Sequence, residues 1–175
     1  MTTERMTQTK PGNANKMMDK KLRDHTFNDR FLSEYVAKKW GGPFALKGVM
    51  SVEDAKRAID IGASAIMLSN HGGRQLDGSR SPFDQLKTIV DAVGGKIEII
   101  VDGGIRRGTH VLKALSLGAT ACSFGKGFLF ALSAGGQKGV ETILQRMKEE
   151  LRRDMILLGK KKIEDLGEEN IAIRN

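Results

Sequence analysis

The strongest constraint on the fold of this chain is a repeat of one helix-to-strand unit. Arg57–Asn70 aligns without a gap to Lys113–Lys126, and each copy combines a helix end, Gly-Ala-Ser/Thr-Ala and an apolar stretch. A glycine at that point ends a helix, and the apolar stretch after it is typical of a buried strand. Repeated helix-to-strand units build βα barrels, so the sequence predicts an α/β protein with parallel strands.

Glycines and capping serines divide the rest of the chain into similar units. The predicted strands are Phe44–Val49, Ala65–Ser69, Glu98–Val101 and Thr120–Phe124. The predicted helices are Asn28–Trp40, Ser51–Ile61, Ser81–Val93, Thr109–Leu117 and Val140–Leu158, the last with an apolar stripe that we expect to pack in the core (Val140, Ile143, Leu144, Met147, Leu151, Met155 and Leu158). Eight strands close a (β/α)8 barrel, so four strands predict a half barrel.

The two ends of the chain differ from the middle in composition. Residues 1–24 are rich in Thr, Asn, Lys and Met without helical or alternating periodicity, which predicts a mobile polar leader. Residues 160–175 form a charged tail with one helical turn. We therefore expect the folded unit to span residues 25–159.

Composition weighs against several classes of function. The formal charge is +8, but the basic residues are spread along the chain, and one tryptophan and one tyrosine offer few stacking platforms for nucleic acid. A site for phosphate and carboxylate accounts for part of the charge equally well. The lone Cys122 cannot form an intrachain disulfide, and no apolar run approaches the roughly 20 residues of a transmembrane helix. We expect a cytoplasmic protein that binds neither nucleic acid nor metal.

A polar motif, Ser69–Asp77, follows the apolar run Ala65–Leu68. In parallel α/β proteins the loops at the carboxyl ends of the strands carry the ligands. An imidazole titrates near neutral pH, so His71 is a candidate for proton transfer. A guanidinium matches a carboxylate bidentately, so Arg74 is a candidate for carboxylate binding.

A lysine interrupts the first predicted strand. Burying an unpaired ammonium costs several kcal/mol, so Lys47 must either reach the strand end and meet an anion or extend its charge into solvent. Both interpretations stay open at the level of sequence.

Two glycine clusters, Asp102–Gly104 and Gly125–Gly127, follow strands and precede helices. Free backbone N–H groups and the helix dipole attract anions at such positions, and Arg106 adds a forked donor suited to phosphate. The alternative is that the glycines only make tight turns. Two clusters at consecutive strand ends, together with Arg106, favour a cofactor that carries phosphate.

These motifs, in this order and spacing, resemble the FMN-dependent 2-hydroxy-acid oxidases and dehydrogenases, the family of glycolate oxidase and L-lactate dehydrogenase. Ser69–Asp77, Lys47-Gly48 and Asp102–Gly108 carry the resemblance, which runs from about Thr26 to about Leu166. It covers the second half of the family's (β/α)8 TIM barrel.

The resemblance implies FMN as cofactor and oxidation of an L-2-hydroxy acid of the lactate or glycolate type to the 2-oxo acid. His71 would remove a proton, Arg74 would bind the substrate carboxylate, and Lys47 would lie beside the flavin N1 edge. Lys126 stands where the family usually has arginine, which predicts weaker phosphate binding. His25 and His110 receive no role. The implied FMN-binding residues are Lys47, Ser69, Asp102, Gly103, Gly104, Ile105, Arg106, Gly125 and Lys126.

The first four strands of the family barrel have no counterpart here. We therefore expect the chain to associate with a second copy of itself or with a complementary half-barrel chain, and the activity of the isolated chain stays open. The alternative is a non-catalytic flavin- or phosphate-binding half barrel that acts in assembly or regulation.

Overall fold

Strands and helices alternate along residues 36–172, the part of the chain that the computed structural model describes. The predicted leader and the first part of the predicted helix Asn28–Trp40 lie outside these residues. The strands are β1 (Ala45–Lys47), β2 (Ala65–Leu68), β3 (Glu98–Asp102) and β4 (Ala121–Ser123). The helices are α1 (Lys38–Trp40), α2 (Val52–Asp60), α3 (Pro82–Val93), α4 (Gly108–Ser116) and α5 (Lys126–Leu157), with short 3₁₀ turns at His71–Gly73, Ile163–Asp165 and Glu168–Asn170.

The four strands form one parallel sheet in the order β1-β2-β3-β4. Parallel neighbours require a crossover, and α2, α3 and α4 supply the three crossovers. The predicted α/β fold with four parallel strands is confirmed. All four carboxyl ends consequently lie at one edge of the sheet.

The sequence repeat corresponds to a repeated backbone structure. Gly62 and Gly118 end α2 and α4 in the left-handed conformation, with φ of +80° and +93°. In each copy the next N–H bonds the carbonyl five residues back, at 2.9 Å after Gly62 and 3.0 Å after Gly118, which is a Schellman cap. The two helix-to-strand connections are therefore equivalent in structure as well as in sequence.

Most predicted boundaries agree with the structure to within two residues. Ser51 Oγ accepts the N–H of Asp54 at 3.1 Å, and Ser81 Oγ accepts the N–H of Asp84 at 3.2 Å, so both predicted N-caps are confirmed. The first strand is shorter than predicted because Gly48, with φ of +96°, turns the chain at its end. This turn leaves Lys47 as the last residue of β1.

The core lies on one face of the sheet, beneath α2, α3 and α4. Burying one large aliphatic side chain stabilises the fold by about 1.5–3 kcal/mol. On the opposite face Met67 and Ile100 are only partly buried, and Ala121 is exposed. The fully buried large side chains include Ile66, Leu68, Leu86, Ile89 and Val101.

Helix α5 joins two predicted helices. It begins at Lys126, where the sequence predicted that Gly125–Gly127 opens a helix, contains a break at Gly135-Gly136, and then follows the predicted Val140–Leu158. None of its residues is buried, and Leu144 is 49% exposed. The prediction that its stripe packs in the core is therefore confirmed only in part. Met147 packs against the core, whereas Leu144 and Leu158 are exposed, because α4 covers only part of the stripe.

Residues 160–172 contact the helical layer through two 3₁₀ turns, where the sequence predicted one. Glu168 pairs with Lys87 of α3 at 2.9 Å, and Ile171 packs against the core. Such surface ion pairs contribute about 0–1 kcal/mol each, so the apolar contact is the firmer attachment.

Within residues 36–172, none of the helices has both the length and the hydrophobicity of a membrane span. The same residues contain no group of three His, Cys, Asp or Glu side chains that could hold a metal ion.

Candidate functional site

An open cleft of about 830 Å³ lies at the carboxyl ends of the strands. The polypeptide reaches it from the ends of β1, β2, β3 and β4, so residues far apart in sequence meet there. Ser69 does not line the cleft but lies beneath it, 2% exposed. The structure brings ten of the eleven predicted site residues to the cleft wall: Lys47, His71, Arg74, Asp102, Gly103, Gly104, Ile105, Arg106, Gly125 and Lys126.

Lys47, Ser69 and Asp102 form a hydrogen-bonded triad in the floor of the cleft. The Lys47 ammonium pairs with the Asp102 carboxylate and donates to Ser69 Oγ at 2.8 Å, and Ser69 Oγ donates to Asp102 Oδ2 at 2.6 Å. Alternation along parallel strands in register places all three side chains on the same face of the sheet. Of the two interpretations left open for Lys47, the structure shows the first: its ammonium group contacts an anion, the Asp102 carboxylate.

The triad keeps Asp102 ionised. Burial alone would raise the pKa of this carboxyl group, but hydrogen bonds from Lys47, Ser69 and Ser123 outweigh it and hold the pKa below its ordinary value. Ser123 lies opposite Asp102 in the register of β3 and β4. Sequence reasoning missed Ser123, although its place at the end of a predicted strand was a usable signal.

The backbone after β2 is held in an unusual conformation. His71 has φ of +55°, a region that costs a residue with a side chain about 1–3 kcal/mol. Ser69 Oγ accepts the N–H of His71 at 3.2 Å, and Asn70 Oδ1 accepts the N–H of Gly72 at 3.0 Å. Asn70 was also missed, although asparagine before a glycine-rich turn commonly makes this local bond.

Two neighbouring loops contact the His71 loop. A Cβ placed on Gly48, at the end of β1, would lie 3.4 Å from His71 Cε1. A Cβ placed on Gly72 would lie 3.8 Å from Lys126 Nζ, at the start of α5. The imidazole of His71 therefore lies near the end of β1, and the backbone of Gly72 lies near the start of α5.

The two predicted anion sites differ in the structure. At the start of α4, Glu150 of α5 accepts the N–H of Gly108 at 2.8 Å and pairs with Arg107. At the start of α5, where Gly125 is the N-cap residue, no side chain among the described residues forms a capping hydrogen bond with the helix. The N-terminus of α4 is therefore already occupied by a carboxylate, and the N-terminus of α5 remains open to an anion from the cleft.

Glu150 was missed by sequence reasoning. The hydrogen bond from Arg107 lowers the pKa of its carboxyl group; burial opposes this, and the bonds from Gly108 and Thr109 add to the lowering. Glu150 lies 42 residues from Gly108, so no local sequence pattern could have indicated the contact.

Three cations at the cleft have no carboxylate partner among the described residues. Among residues 36–172, the side chains of Arg74, Arg106 and Lys126 make no ion pair, whereas Lys47 is paired. Unpaired cations beside an open helix N-terminus suit phosphate and carboxylate groups. The donors present therefore fit a ligand that carries phosphate, with a second anion near Arg74.

Known proteins resemble this chain in sequence and in structure. A family model described as FMN-dependent dehydrogenase matches residues 1–173. Pre-mycofactocin synthase of Mycolicibacterium smegmatis is 46% identical over 139 residues, which cover 79% of this chain and 35% of that protein. L-lactate dehydrogenase of Vibrio cholerae serotype O1 is 44% identical over 141 residues, covering 81% and 37%. A solved structure of a mandelate oxidase mutant with the monooxide FMN adduct gives a TM-score of 0.68 at 50% identity, covering 70% of this chain and 39% of that one.

The matched region covers most of this chain but a much smaller share of each relative. The chain spans 35% and 37% of the lengths of these two curated proteins. Its four parallel strands are part of the TIM-barrel fold that the FMN-dependent oxidases share. The family match, the sequence identity and the common fold together show that this chain belongs to the FMN-dependent dehydrogenase family of 2-hydroxy-acid oxidases and dehydrogenases, whose cofactor is FMN.

Proposed function

We propose that this chain supplies the phosphate-binding and carboxylate-binding side of a site that oxidises an L-2-hydroxy acid to the 2-oxo acid. The observation that carries the proposal is a set of cations in one cleft with His71 that make no ion pair within residues 36–172: Arg74, Arg106 and Lys126. A flavin phosphate and a substrate carboxylate are two separate anions, and the cations lie on separate loops.

The FMN phosphate is assigned to Arg106, Lys126 and the first-turn N–H groups of α5. Gly103 and Gly104, with φ of +114° and +74°, keep the backbone beside it free of side chains. FMN, when bound, supplies the acceptor for the two electrons that leave the substrate together with one of its two hydrogens. Lys47 contributes positive charge at the floor of the cleft, where Asp102 and Ser69 fix its ammonium group.

The substrate contacts are assigned to His71 and Arg74. Arg74 binds the carboxylate through two parallel N–H donors, which also orients the hydroxyl-bearing carbon. An imidazole nitrogen of His71 accepts the hydroxyl proton, and the hydrogen bond from its own N–H to Ser69 fixes the backbone from which the ring extends. Relatives of similar identity are named for different substrates, so the proposal is limited to the 2-hydroxy-acid class.

We further propose that additional polypeptide completes the barrel. Strands β1 and β4 each have a neighbour on only one side within the described sheet, and unpaired strand edges favour association. A second copy or a complementary half-barrel chain would cover these edges and the face of the sheet opposite the core, which carries Met67, Ile100 and Ala121. The oligomeric state and the cytoplasmic location expected from the sequence stay predictions.

The second candidate is a flavin- or phosphate-binding module without catalysis, acting in assembly or regulation. One observation favours it: within residues 36–172 the phosphate is assigned to Arg106, Lys126 and the N–H groups at the start of α5, whereas the substrate is assigned to only two side chains, Arg74 and His71. The two candidates make different predictions for the same sample, since both predict bound flavin and only the first predicts turnover.

The test is anaerobic reduction of the flavin-loaded protein by L-lactate or glycolate, followed by absorbance. His71→Ala should keep its FMN and lose at least about a hundredfold in reduction rate, because it removes the proton acceptor. Lys113→Ala, an exposed change on α4, is the control and should reduce normally. Unaltered kinetics in His71→Ala would contradict the assignment, and flavin binding without reduction in the wild-type protein would favour the module.

A further inference from the structure

We propose that His110 is a positioning residue for the phosphate loop, defined here as residues Gly103–Arg106. No role was predicted for this histidine from the sequence. The proposal rests on the proposed function in one respect, namely that the loop binds the FMN phosphate. His110 itself does not line the cleft, so it acts on the loop from behind.

One ring nitrogen of His110 reaches both sides of the turn. The residue lies in the first turn of α4, and its Nδ1 is 3.2 Å from the backbone N of Arg106 and 3.1 Å from the carbonyl O of Gly104. Both distances are within hydrogen-bonding range. The same atom can therefore hold either the N–H or the carbonyl of the loop.

Nδ1 forms only one of these bonds at a time. With a lone pair it accepts the N–H of Arg106, whereas with a proton it donates to the carbonyl of Gly104. Gly104 and Arg106 are both exposed, but the N–H of Arg106 is directed at Nδ1 with hydrogen-bonding geometry, and a carbonyl that bonds only water is a common arrangement whereas an unpartnered N–H is rare. We infer that His110 carries its proton on Nε2 and accepts the N–H of Arg106 on Nδ1.

This bond completes the fixation of a loop that is otherwise free to turn. Gly103 and Gly104 have positive φ and impose little restriction of their own. Ile105 is 3% exposed and anchors the middle of the loop in the core. With His110 holding the next N–H, the backbone of Arg106 is fixed before any ligand arrives, and only its side chain remains to be ordered on a phosphate.

The experiment compares FMN with riboflavin, which lacks the phosphate, by quenching of flavin fluorescence. His110→Leu keeps a side chain of moderate bulk but has no acceptor, so FMN affinity should fall about five- to tenfold, the effect of one hydrogen bond. His110→Asn places Oδ1 where Nδ1 was and should restore affinity to within about twofold of wild type. Riboflavin affinity should be the same in all three proteins, and thermal unfolding followed by circular dichroism checks that each variant is folded.

A second measurement does not depend on flavin. The ¹⁵N chemical shift of His110 Nδ1 in the wild-type protein should be that of an unprotonated ring nitrogen. A protonated Nδ1, or a His110→Leu variant that binds FMN as tightly as wild type, would overturn the proposal. If the wild-type protein binds no FMN, the proposed function fails, and the ring shift on the same protein still decides whether His110 holds Arg106.

Discussion

The contact between α4 and α5 depends on the absence of one side chain, that of Gly108. A Cβ at this position would contact Met147 O and would lie 2.5 Å from Leu151 N and 2.9 Å from Glu150 Cβ. The first two are backbone atoms of α5 and cannot rotate away. Gly108→Ala therefore has to push α4 and α5 apart.

Two costs follow from that separation. Overpacking in a closely packed contact typically costs about 1–3 kcal/mol. Moving α4 also stretches the bond from the Gly108 N–H to Glu150, and losing a helix cap costs about 0.5–2 kcal/mol. The higher helix propensity of alanine returns less than about 1 kcal/mol. We expect Gly108→Ala to lower the free energy of unfolding by about 2–4 kcal/mol.

Urea unfolding followed by circular dichroism at the helix band measures this change. Gly135→Ala is the matched control, because Gly135 has a negative φ and a Cβ there meets nothing within 4 Å. The control should lie within about 1 kcal/mol of wild type. If Gly108→Ala were as stable as Gly135→Ala, the packing argument would be refuted.

Three other predictions concern the cleft and its surroundings. Lys126→Arg should tighten FMN binding by about threefold or more because it restores a forked donor, and Arg106→Ala should weaken it by about tenfold or more; equal affinities in a titration of the apoprotein would place the phosphate elsewhere. The pKa of Asp102 is lowered in the folded protein, so its contribution to stability is present above the ordinary carboxyl pKa of about 4 and is lost as pH falls through the lowered value. The stability difference between wild type and Asp102→Asn should accordingly be constant from about pH 5 to 8 and shrink below about pH 4 in urea unfolding, and a difference independent of pH would contradict this. Burial raises the pKa of the Cys122 thiol to about 11, so about a thousandth of it is thiolate at pH 8, against about a quarter for a free cysteine. Labelling by a thiol reagent should be slow in the folded protein and fast in urea, and rapid labelling of the folded protein would be inconsistent with a raised thiol pKa.

The sequence alone determined the order and type of the elements, because their signals are local. Gly62 and Gly118 end helices by a backbone conformation that glycine adopts readily. Ser51 and Ser81 begin helices because each side chain accepts the N–H of the residue three positions later. The position of the cleft was also predictable, since parallel strands bring their carboxyl ends to one edge.

The tertiary structure alone decided how the site is held. Lys47 meets Asp102 across 55 residues, and Glu150 reaches Gly108 across 42, so neither contact leaves a pattern in any short stretch of sequence. The stripe of α5 shows the same limit. Periodicity indicates which face of a helix is apolar, but whether that face is buried depends on the surface that packs against it, and this surface comes from elsewhere in the protein.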